Sequence, residues 1–312
     1  MLYTDRIVSM IKSRTFKNWI FLLCVIGSGV LAKQFCYKKT DGFALYKILS
    51  NLAFHSEWEA RNKEDQSSSE LLKILDQPFY YLAKGAQSYV FASADGKSVI
   101  KFFRIYHMSP PLWMKALTFP QVLQPFKVRK IISKQNELNK DFLSYKIAFD
   151  EMKEETGLLY LHLNKTSHLK KSLRIYDKIG IAYDLDLDKM EFLVQKKANL
   201  VFPAVDALIK TEGVEAAKEA ICNLVKLLLT RCEKGIFDKD PDLNTNFGFL
   251  GRLPIQIDIG RFCHQTEQKT ASAHQEEIMR ITDNFRQWLD ANHPTLSESL
   301  LTEIQNISLC PT

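Results

Sequence analysis

Oxygen-bearing side chains are concentrated in residues 235–262, GIFDKDPDLNTNFGFLGRLPIQIDIGRF. Asp238, Asp240, Asn246 and Asp258 are spread around two short apolar runs in this stretch. Carboxylate and carboxamide oxygens are hard ligands of the kind that Mg²⁺ takes together with phosphate oxygens. The same residue types also cap the backbone amides of turns, so a purely structural turn is the alternative interpretation.

The surrounding sequence predicts the elements that would hold these side chains. Residues 214–232 contain strong helix formers, with acidic residues early and Arg231 late, which suits the helix dipole. Gly235 follows as a stop signal, and the runs FGFL and IQID are predicted to be two short strands joined by a turn. This order would bring the oxygen ligands to neighbouring loop and strand ends.

A second group of candidate residues lies in residues 82–103, LAKGAQSYVFASADGKSVIKFF. Two alternating apolar runs predict strands joined by a hairpin at residues 95–96, after a small-residue turn that includes Gly85 and Ser88. Lys101 lies in the last strand among apolar neighbours. A strand lysine can pair with phosphate oxygens, while a turn of small residues lets backbone amides approach them.

The order of elements over residues 78–262 resembles the protein-kinase-like superfamily, which includes aminoglycoside and other small-molecule kinases. The segment GIFDKD is similar to the family's GIIHRD, DIG at 258–260 to its DFG, and VIK at 99–101 to the end of its V-A-I-K strand. The sequence departs from the family in two places. GAQSYVF keeps one glycine of the family's three, and the loop between Asp240 and Asn246 is one residue longer.

The resemblance implies a role for each of the oxygen ligands. Asp240 would be the catalytic aspartate, while Asn246 and Asp258 would bind Mg²⁺. Because the loop is one residue longer, two alternatives stay open. Asp238 competes for the role of base, and Asn244 competes for the role of metal ligand.

The resemblance also implies a site for ATP. Gly85, Ser88 and Lys101 would meet the phosphates, and the helix predicted over residues 127–155 would supply a carboxylate that holds Lys101. We choose Glu137 for that carboxylate, with Asp141, one turn further on the same face, as the alternative.

Residues 191–205, EFLVQKKANLVFPAV, resemble the strand and hinge that connect the two lobes of such a fold. The backbone near Lys196 and Ala198 would meet the adenine ring.

The implied fold is α+β and two-lobed, with a small antiparallel sheet and one long helix in the first lobe and a mainly helical second lobe. The implied activity is ATP- and Mg²⁺-dependent phosphoryl transfer to a hydroxyl group of an unknown protein or small-molecule acceptor. No Ala-Pro-Glu motif follows DIGRF, which favours an atypical or small-molecule-type kinase.

Two other functional interpretations remain. A membrane-anchored pseudokinase would use the same fold as a binding module. An unrelated fold could imitate the motifs by chance, and in that case Lys101 and Asp258 would lie far apart.

Residues 19–32, WIFLLCVIGSGVLA, carry no charge and follow a segment rich in Lys and Arg. The segment is shorter than the roughly 20 residues that span a bilayer, so it predicts a short membrane anchor or a signal peptide cleaved near residues 30–32. A buried first helix is the third interpretation. We expect membrane association with the kinase-like domain in an ATP-containing compartment, with export or secretion as the alternative.

The composition, 46% hydrophobic and 25% charged, is that of a globular protein. The net charge of +6 is spread along the chain rather than gathered in one block, so nucleic acid is not an expected partner. Six cysteines without a CxxC pair predict neither a zinc site nor a disulfide framework.

The expected organisation has four parts. Residues 1–40 form the N-terminal anchor or signal, and residues 41–75 form an amphipathic helix and a polar linker. Residues 76–198 form the first lobe, and residues 199–312 form the second lobe.

Overall fold

The structure is a computed structural model that describes residues 2–60, 67–265 and 270–307. The strands are β1 Phe79–Lys84, β2 Ser88–Ser93, β3 Ser98–Phe103, β4 Leu158–His162, β5 Ser172–Tyr176, β6 Ala182–Asp186, β7 Phe192–Lys196, β8 Asn199–Leu200, β9 Ile236–Asp238, β10 Phe247–Leu250, β11 Leu253–Gln256 and β12 Phe262–His264. The helices are α1 Leu2–Thr40, α2 Ser67–Leu75, α3 Ile105–Met108, α4 Leu112–Ala116, α5 Gln124–Glu151, α6 Lys153–Thr156, α7 Val201–Glu212, α8 Val214–Glu233, α9 Ala271–Asn292 and α10 Pro294–Asn306.

The first lobe is built on a seven-stranded sheet with the order β4-β7-β3-β2-β1-β5-β6. All neighbouring pairs are antiparallel except β1 and β5, which are parallel. Strands β2 and β3 meet at a tight turn in which Gly96 has a φ of 71°, a conformation that glycine adopts without steric cost. Lys101 pairs with Val90 on one side and Leu193 of β7 on the other, so Lys101 lies on a central strand.

Helix α5 packs across one face of this sheet. The buried side chains of α5 lie in its C-terminal half, where Leu138, Phe142 and Phe149 join a core that includes Phe103 of β3. The same core takes in Ile259 and Phe262, which directly follow the Asp258 segment. The helix therefore fixes the position of the Asp-Ile-Gly segment relative to the sheet.

The second lobe is helical. Helices α7, α8, α9 and α10 bury one continuous apolar cluster, to which the hairpin of β10 and β11 contributes Phe247 and Phe249. Strand β8, at the end of the connection between the lobes, pairs with β10. The predicted α+β class, with an antiparallel-rich sheet in the first lobe and helices in the second, is confirmed.

Helix α1 contains a 20-residue stretch, Phe21–Thr40, that is long and apolar enough to cross a membrane, and none of this stretch is buried in the protein. After the helix, the chain turns into the first lobe. Phe43 and Ile48 are buried with Phe79 and Phe91 of the sheet. The end of α1 is thus fixed to the strands that precede and follow the Gly85 turn.

Three predicted features differ from the structure. The amphipathic helix expected over residues 43–54 is reduced to a 3₁₀ turn at Leu45–Lys47, because its apolar residues are used for packing against the sheet. The polar stretch between β4 and β7 contains the hairpin of β5 and β6, and residues 201–212 form a separate helix, α7. Residues 61–66 of the predicted linker lie outside the described residues.

Candidate active site

A cleft with a volume of about 990 Å³ lies between the sheet of the first lobe and the helical lobe. Most of the predicted site residues line this one cleft, and they come from every part of its wall. They are Gly85, Ser88, Lys101, Lys196, Ala198, Asp240, Asn246 and Asp258.

Lys101 of β3 reaches across the cleft to the Asp258 segment. Its Nζ donates a hydrogen bond to the backbone oxygen of Ile257 at 2.5 Å. Burial lowers the pKa of the Lys101 ammonium, and the Asp258 carboxylate opposes this shift. The two residues therefore lie close together, whereas a chance imitation of the motifs would have left them far apart.

The loop between β9 and β10 is held by its own polar side chains. Asn246 is buried, and its Nδ2 donates to the backbone oxygen of Asp240 at 2.5 Å. The backbone oxygen of Asn246 accepts hydrogen bonds from Ile257 N at 2.7 Å and Asp258 N at 3.2 Å. One asparagine thus joins the Asp240 loop to the Asp258 segment and fixes the two candidate ligands relative to each other.

Asp240 and Asp258 present exposed carboxylates at the base of the cleft. Oδ1 of Asp258 accepts a weak hydrogen bond from Gly260 N at 3.3 Å. Asn244, the alternative metal ligand, is exposed, and its backbone amide binds Asp242 at 2.9 Å. Asn244 is not part of the cleft wall, which includes Thr245 and Asn246 instead.

Asp238, the alternative base, belongs to a buried network behind the cleft. Its Oδ1 accepts from Asp240 N at 2.9 Å, and its Oδ2 accepts from Gln256 Nε2 at 2.5 Å. Arg231 of α8 donates to Gln256 Oε1 at 2.9 Å and lies 3.7 Å from Asp238 Oδ2. Both oxygens of Asp238 are therefore engaged in positioning the Asp240 loop.

The Gly85 turn is held by an arginine that sequence reasoning did not single out. Gly85 N donates to Ser88 O at 2.9 Å, which closes the turn. Nη1 of Arg104 donates to Gly85 O at 3.1 Å and to Ala86 O at 2.8 Å. Arg104 follows β3 directly, so its position next to the VIK strand is the only sequence signal for this contact.

The tip of the turn reaches the Asp-Ile-Gly segment through Gln87. Tyr145 of α5 donates its hydroxyl proton to Gln87 Oε1 at 2.7 Å. A β-carbon at Gly260 would lie 2.1 Å from this same oxygen and 2.9 Å from the Tyr145 oxygen. A side chain at position 260 would therefore displace the end of Gln87 from its present position.

Asp141, the alternative partner of Lys101, lies beside this group. Burial raises the pKa of the Asp141 carboxyl to about 6, while the Arg261 charge and a Gln87 hydrogen bond oppose the shift. Asp141 and Tyr145 are four residues apart on α5, a spacing that puts both on one helix face. That spacing is the signal by which the sequence could have indicated Tyr145.

Glu137 is not brought to Lys101. Its Oε2 accepts from Lys134 Nζ at 2.9 Å, and its side chain is 57% exposed. The hydrogen bond from Lys134 and the charge of its ammonium lower the pKa of the Glu137 carboxyl. Glu137 lies before the first buried turn of α5 and points away from the cleft. Lys101 contacts the Ile257–Asp258 segment instead.

Residues 196–198 form the connection between the lobes at the back of the cleft. Lys196 N donates to Gly157 O and Lys197 N donates to Lys97 O, both at 2.9 Å. Gly248 of β10 lies against this connection, since a β-carbon there would meet Asn199 O at 2.6 Å. The connection is thus fixed on both sides, with Lys196 and Ala198 bordering the cleft.

The side chains at the base of the cleft fit Mg²⁺ bound to phosphate. Asp240, Asn246 and Asp258 border both the cleft and a void of about 40 Å³, and the void is also bordered by Asp238, whose two oxygens already accept hydrogen bonds. The described residues contain no group of three His, Cys, Asp or Glu arranged for a metal ion. Two carboxylates and one amide instead leave coordination positions for phosphate oxygens and water, which is how protein-bound Mg²⁺ is commonly held.

No family model and no curated protein matches the chain. Among solved structures, the chain is similar to a crystal structure of WbdD, at 15% identity over 74% of this chain and 46% of that one, with a TM-score of 0.35. A structure described as the bifunctional kinase-methyltransferase WbdD is matched at 16% identity over 72% and 43%, with a TM-score of 0.33. The chain thus spans about half the length of these WbdD chains.

A complex of Rv3197 with erythromycin from Mycobacterium tuberculosis is matched at 13% identity over 89% of this chain and 73% of that one, with a TM-score of 0.32. The element order and the interlobe cleft of the present chain define a divergent kinase-like fold. The predicted resemblance is confirmed at the level of the fold.

Proposed function

We propose that the protein is an ATP- and Mg²⁺-dependent phosphotransferase with an alcohol acceptor of unknown identity. The observation that carries the proposal is the contact of Lys101 with the Ile257–Asp258 segment inside a cleft that also contains Asp240 and Asn246. A buried lysine charge facing a carboxylate at the base of a nucleotide-sized cleft is an arrangement suited to a metal-bound triphosphate.

Each residue would have a defined task. The Lys101 ammonium would orient the α- and β-phosphates, and the turn that contains Gly85 and Ser88 would cover them. Asn246 and Asp258 would hold Mg²⁺, which would neutralise charge on the phosphate oxygens. The backbone near Lys196 and Ala198 would meet adenine.

Asp240 would accept the proton of the acceptor hydroxyl as the hydroxyl oxygen bonds to the γ-phosphorus and the bond from that phosphorus to ADP breaks. The Asp240 carboxylate is exposed to the cleft, as this task requires. Asp238 would act as a positioning residue, because its two oxygens hold the Asp240 amide and Gln256.

A specific observation favours a second candidate, a pseudokinase. The Gln87 side chain lies against Gly260 and borders the same small void as Asp240 and Asp258. In this position it competes with a γ-phosphate for space. Under this interpretation the closed turn is permanent, and the fold serves as a binding module.

Helix α1 is proposed to be an uncleaved membrane anchor that keeps the kinase-like domain in an ATP-containing compartment. The end of the helix passes directly into the core of the first lobe through Phe43 and Ile48. Export or secretion is the alternative that the composition of the segment leaves open.

The test is calorimetric titration of the full chain in detergent with ATP, with and without Mg²⁺. The expected result is Mg²⁺-dependent binding that Lys101→Met and Asp258→Asn each weaken at least tenfold, while Lys97→Met, an exposed lysine of the same hairpin, leaves it unchanged. Removal of Mg²⁺ by EDTA should abolish the difference between wild type and Asp258→Asn. A folded wild-type protein that binds no nucleotide would favour the pseudokinase.

A further inference from the structure

The first half of helix α5 extends beyond the core of the protein. The buried residues of α5 begin at Leu138, so none of residues 124–137 is buried. This part of the helix and the short α4 before it form a projecting segment, residues 112–134, which we call the α4–α5 overhang.

The overhang exposes an unusual amount of apolar side chain. Seven large apolar residues are between 47% and 88% exposed: Trp113, Leu117, Val122, Leu123, Phe126, Val128 and Ile132. Isolated exposed apolar residues are ordinary, but a contiguous group on a projecting segment marks an interaction surface.

The charge of the overhang is entirely positive. No Asp or Glu occurs between Asp95 and Glu137, whereas the overhang contains five basic residues, Lys115, Lys127, Arg129, Lys130 and Lys134. The Lys127 and Lys130 ammonium groups lie 5.4 and 5.8 Å from the ring centres of Phe119 and Phe126. Basic and aromatic side chains are thus mixed on one surface, which is the composition of segments that bind at an anionic lipid interface.

Helix α3, which precedes the overhang, lies against both α5 and the turn that follows α1. Tyr106 packs edge-on against Tyr46 with ring centres 5.3 Å apart, which connects α3 to the 3₁₀ turn after α1. The charges of Lys47, Arg104 and Lys134 all act on His107, so basic groups extend from the overhang to that turn. Tyr37 of α1 accepts a hydrogen bond from Lys84 at 2.5 Å, and the Lys47 ammonium lies 5.9 Å from the centre of the Tyr37 ring. The surface therefore lies next to the point where the candidate membrane helix enters the domain.

We infer that the α4–α5 overhang docks onto an anionic phospholipid bilayer, with the apolar side chains in the interface and the basic side chains at the lipid phosphates. A second copy of the chain is the weaker candidate occupant, because two such surfaces would bring only like charges together. The docked overhang would hold the domain in one orientation relative to the bilayer, beyond what a single helical anchor can impose.

Trp113 provides a direct readout of docking. Trp58 is buried and Trp288 is half-buried, so in a Trp19→Phe background Trp113 is the exposed tryptophan of the chain. The full chain with this substitution is reconstituted into vesicles of phosphatidylcholine alone, or with one third phosphatidylglycerol, in which the acyl chains carry bromine as a contact quencher.

The expected result is quenching in the anionic vesicles that is at least twice that in the neutral vesicles and that disappears with Trp113→Phe. Arg129→Ala with Lys130→Ala should reduce quenching to the neutral level. The matched control, Lys210→Ala with Lys226→Ala, removes the same charge from exposed positions of α7 and α8 and should leave quenching unchanged.

Three outcomes would overturn the inference. Fluorescence of Trp113 that is unquenched in both kinds of vesicle would show that the overhang faces water. Equal quenching in both kinds of vesicle, unchanged by Arg129→Ala with Lys130→Ala, would show that docking does not depend on anionic lipid. A concentration-dependent dimer in detergent that Trp113→Phe dissociates would make a second copy the occupant. None of these readouts depends on nucleotide binding, so failure here is distinct from failure of the proposed activity.

Discussion

At the scale of single residues, the structure separates two aspartates that lie two positions apart in the sequence. Asp240 is exposed to the cleft, while Asp238 is 1% exposed and faces Arg231, which is fully buried. The local sequence is compatible with either residue as the base. Packing assigns them opposite environments, because Asp238 is the buried last residue of β9, whereas Asp240 lies in the loop that follows the strand.

Asp238→Ala should destabilise the protein strongly, because it leaves the Arg231 charge buried without its acidic partner. Breaking a buried ion pair from one side costs about 3 to 5 kcal/mol in the free energy of unfolding. Asp240→Ala is the matched control and should change stability by less than about 0.5 kcal/mol, since surface substitutions usually do. Urea unfolding followed by circular dichroism measures the free energy of unfolding of both variants. Equal losses of stability would contradict the assignment of Asp238 to the buried network and Asp240 to the surface.

A buried glutamate makes stability depend on pH. Burial raises the pKa of Glu191 from its ordinary value of 4.5 to about 7, and Ser50 donates a hydrogen bond to its Oε1 at 2.5 Å. Because the folded pKa lies above the unfolded one, the folded state holds the proton between pH 4.5 and pH 7. The contribution of Glu191 to stability is therefore greatest at low pH and falls as the pH rises through this window.

Glu191→Gln should remove this dependence. We expect it to raise stability at pH 8 by roughly 3 kcal/mol at most, from about 1.4 kcal/mol per pKa unit, with little change at pH 5. Thermal melting of wild type and variant at both pH values is the measurement, with Glu57→Gln, an exposed glutamate, as control. A variant that is less stable at both pH values would contradict the prediction.

At the scale of elements, the site depends on contacts between three segments that are distant in sequence. The Gly85 turn is fixed by Arg104 and by the hydrogen bond between Gln87 and Tyr145. Tyr145 belongs to α5, whose Ser144 in turn donates to Ile259 O at 2.5 Å. Helix α5 thus connects the Gly85 turn to the Asp-Ile-Gly segment, even though the predicted contact of Glu137 with Lys101 is absent.

Opening of the Gly85 turn is expected to be required for nucleotide binding. Gln87→Ala removes the hydrogen bond from Tyr145, which is worth about 0.5 to 1.5 kcal/mol, so ATP should bind about 2 to 10 times more tightly. Tyr145→Phe removes the same bond from the other partner and should have a similar effect. Calorimetric ATP titration is the measurement. Weaker ATP binding by both variants would instead indicate that Gln87 holds the phosphates.

At the scale of the whole molecule, α1 and the first lobe form one continuous structure. Asp41 accepts hydrogen bonds from Lys178 and Tyr81, and Tyr89 donates to Gly42 O at 2.7 Å. The turn after α1 is therefore attached to strands β1 and β2 and to the loop before β6. An anchor attached in this way would transmit its position to the lobe that carries the Gly85 turn.

Leu22→Arg combined with Val25→Arg should release the protein from membranes. Both side chains are exposed on the apolar part of α1, and an arginine near the centre of a membrane helix costs about 2.5 to 3.5 kcal/mol. We expect the wild type to stay in the carbonate-resistant membrane pellet and the variant to move to the supernatant. Leu72→Arg, a substitution of an exposed leucine in α2, is the control. A wild type found in the supernatant would remove the anchor proposal.

The local patterns of the sequence were sufficient for much of the fold. Alternation predicted β2 and β3, and helix-forming residues with a glycine stop predicted α8, because these elements are selected by short-range preferences. The short hairpin of β5 and β6 escaped prediction since its mixed polar sequence pairs only through β1. The order of Lys101, Asp240, Asn246 and Asp258 was likewise enough to place them in one candidate site.

Only the tertiary structure decided which side chains meet. Glu137 and Asp141 lie one turn apart on α5, but the core begins at Leu138, so Glu137 projects toward solvent while Asp141 is half-buried beside Gln87 and Arg261. In the same way, Asp238 is buried beside Arg231 of α8, whereas Asp240 remains exposed. Residue types and order are properties of the chain, but the distance, burial and charge around each group depend on packing between segments far apart in sequence.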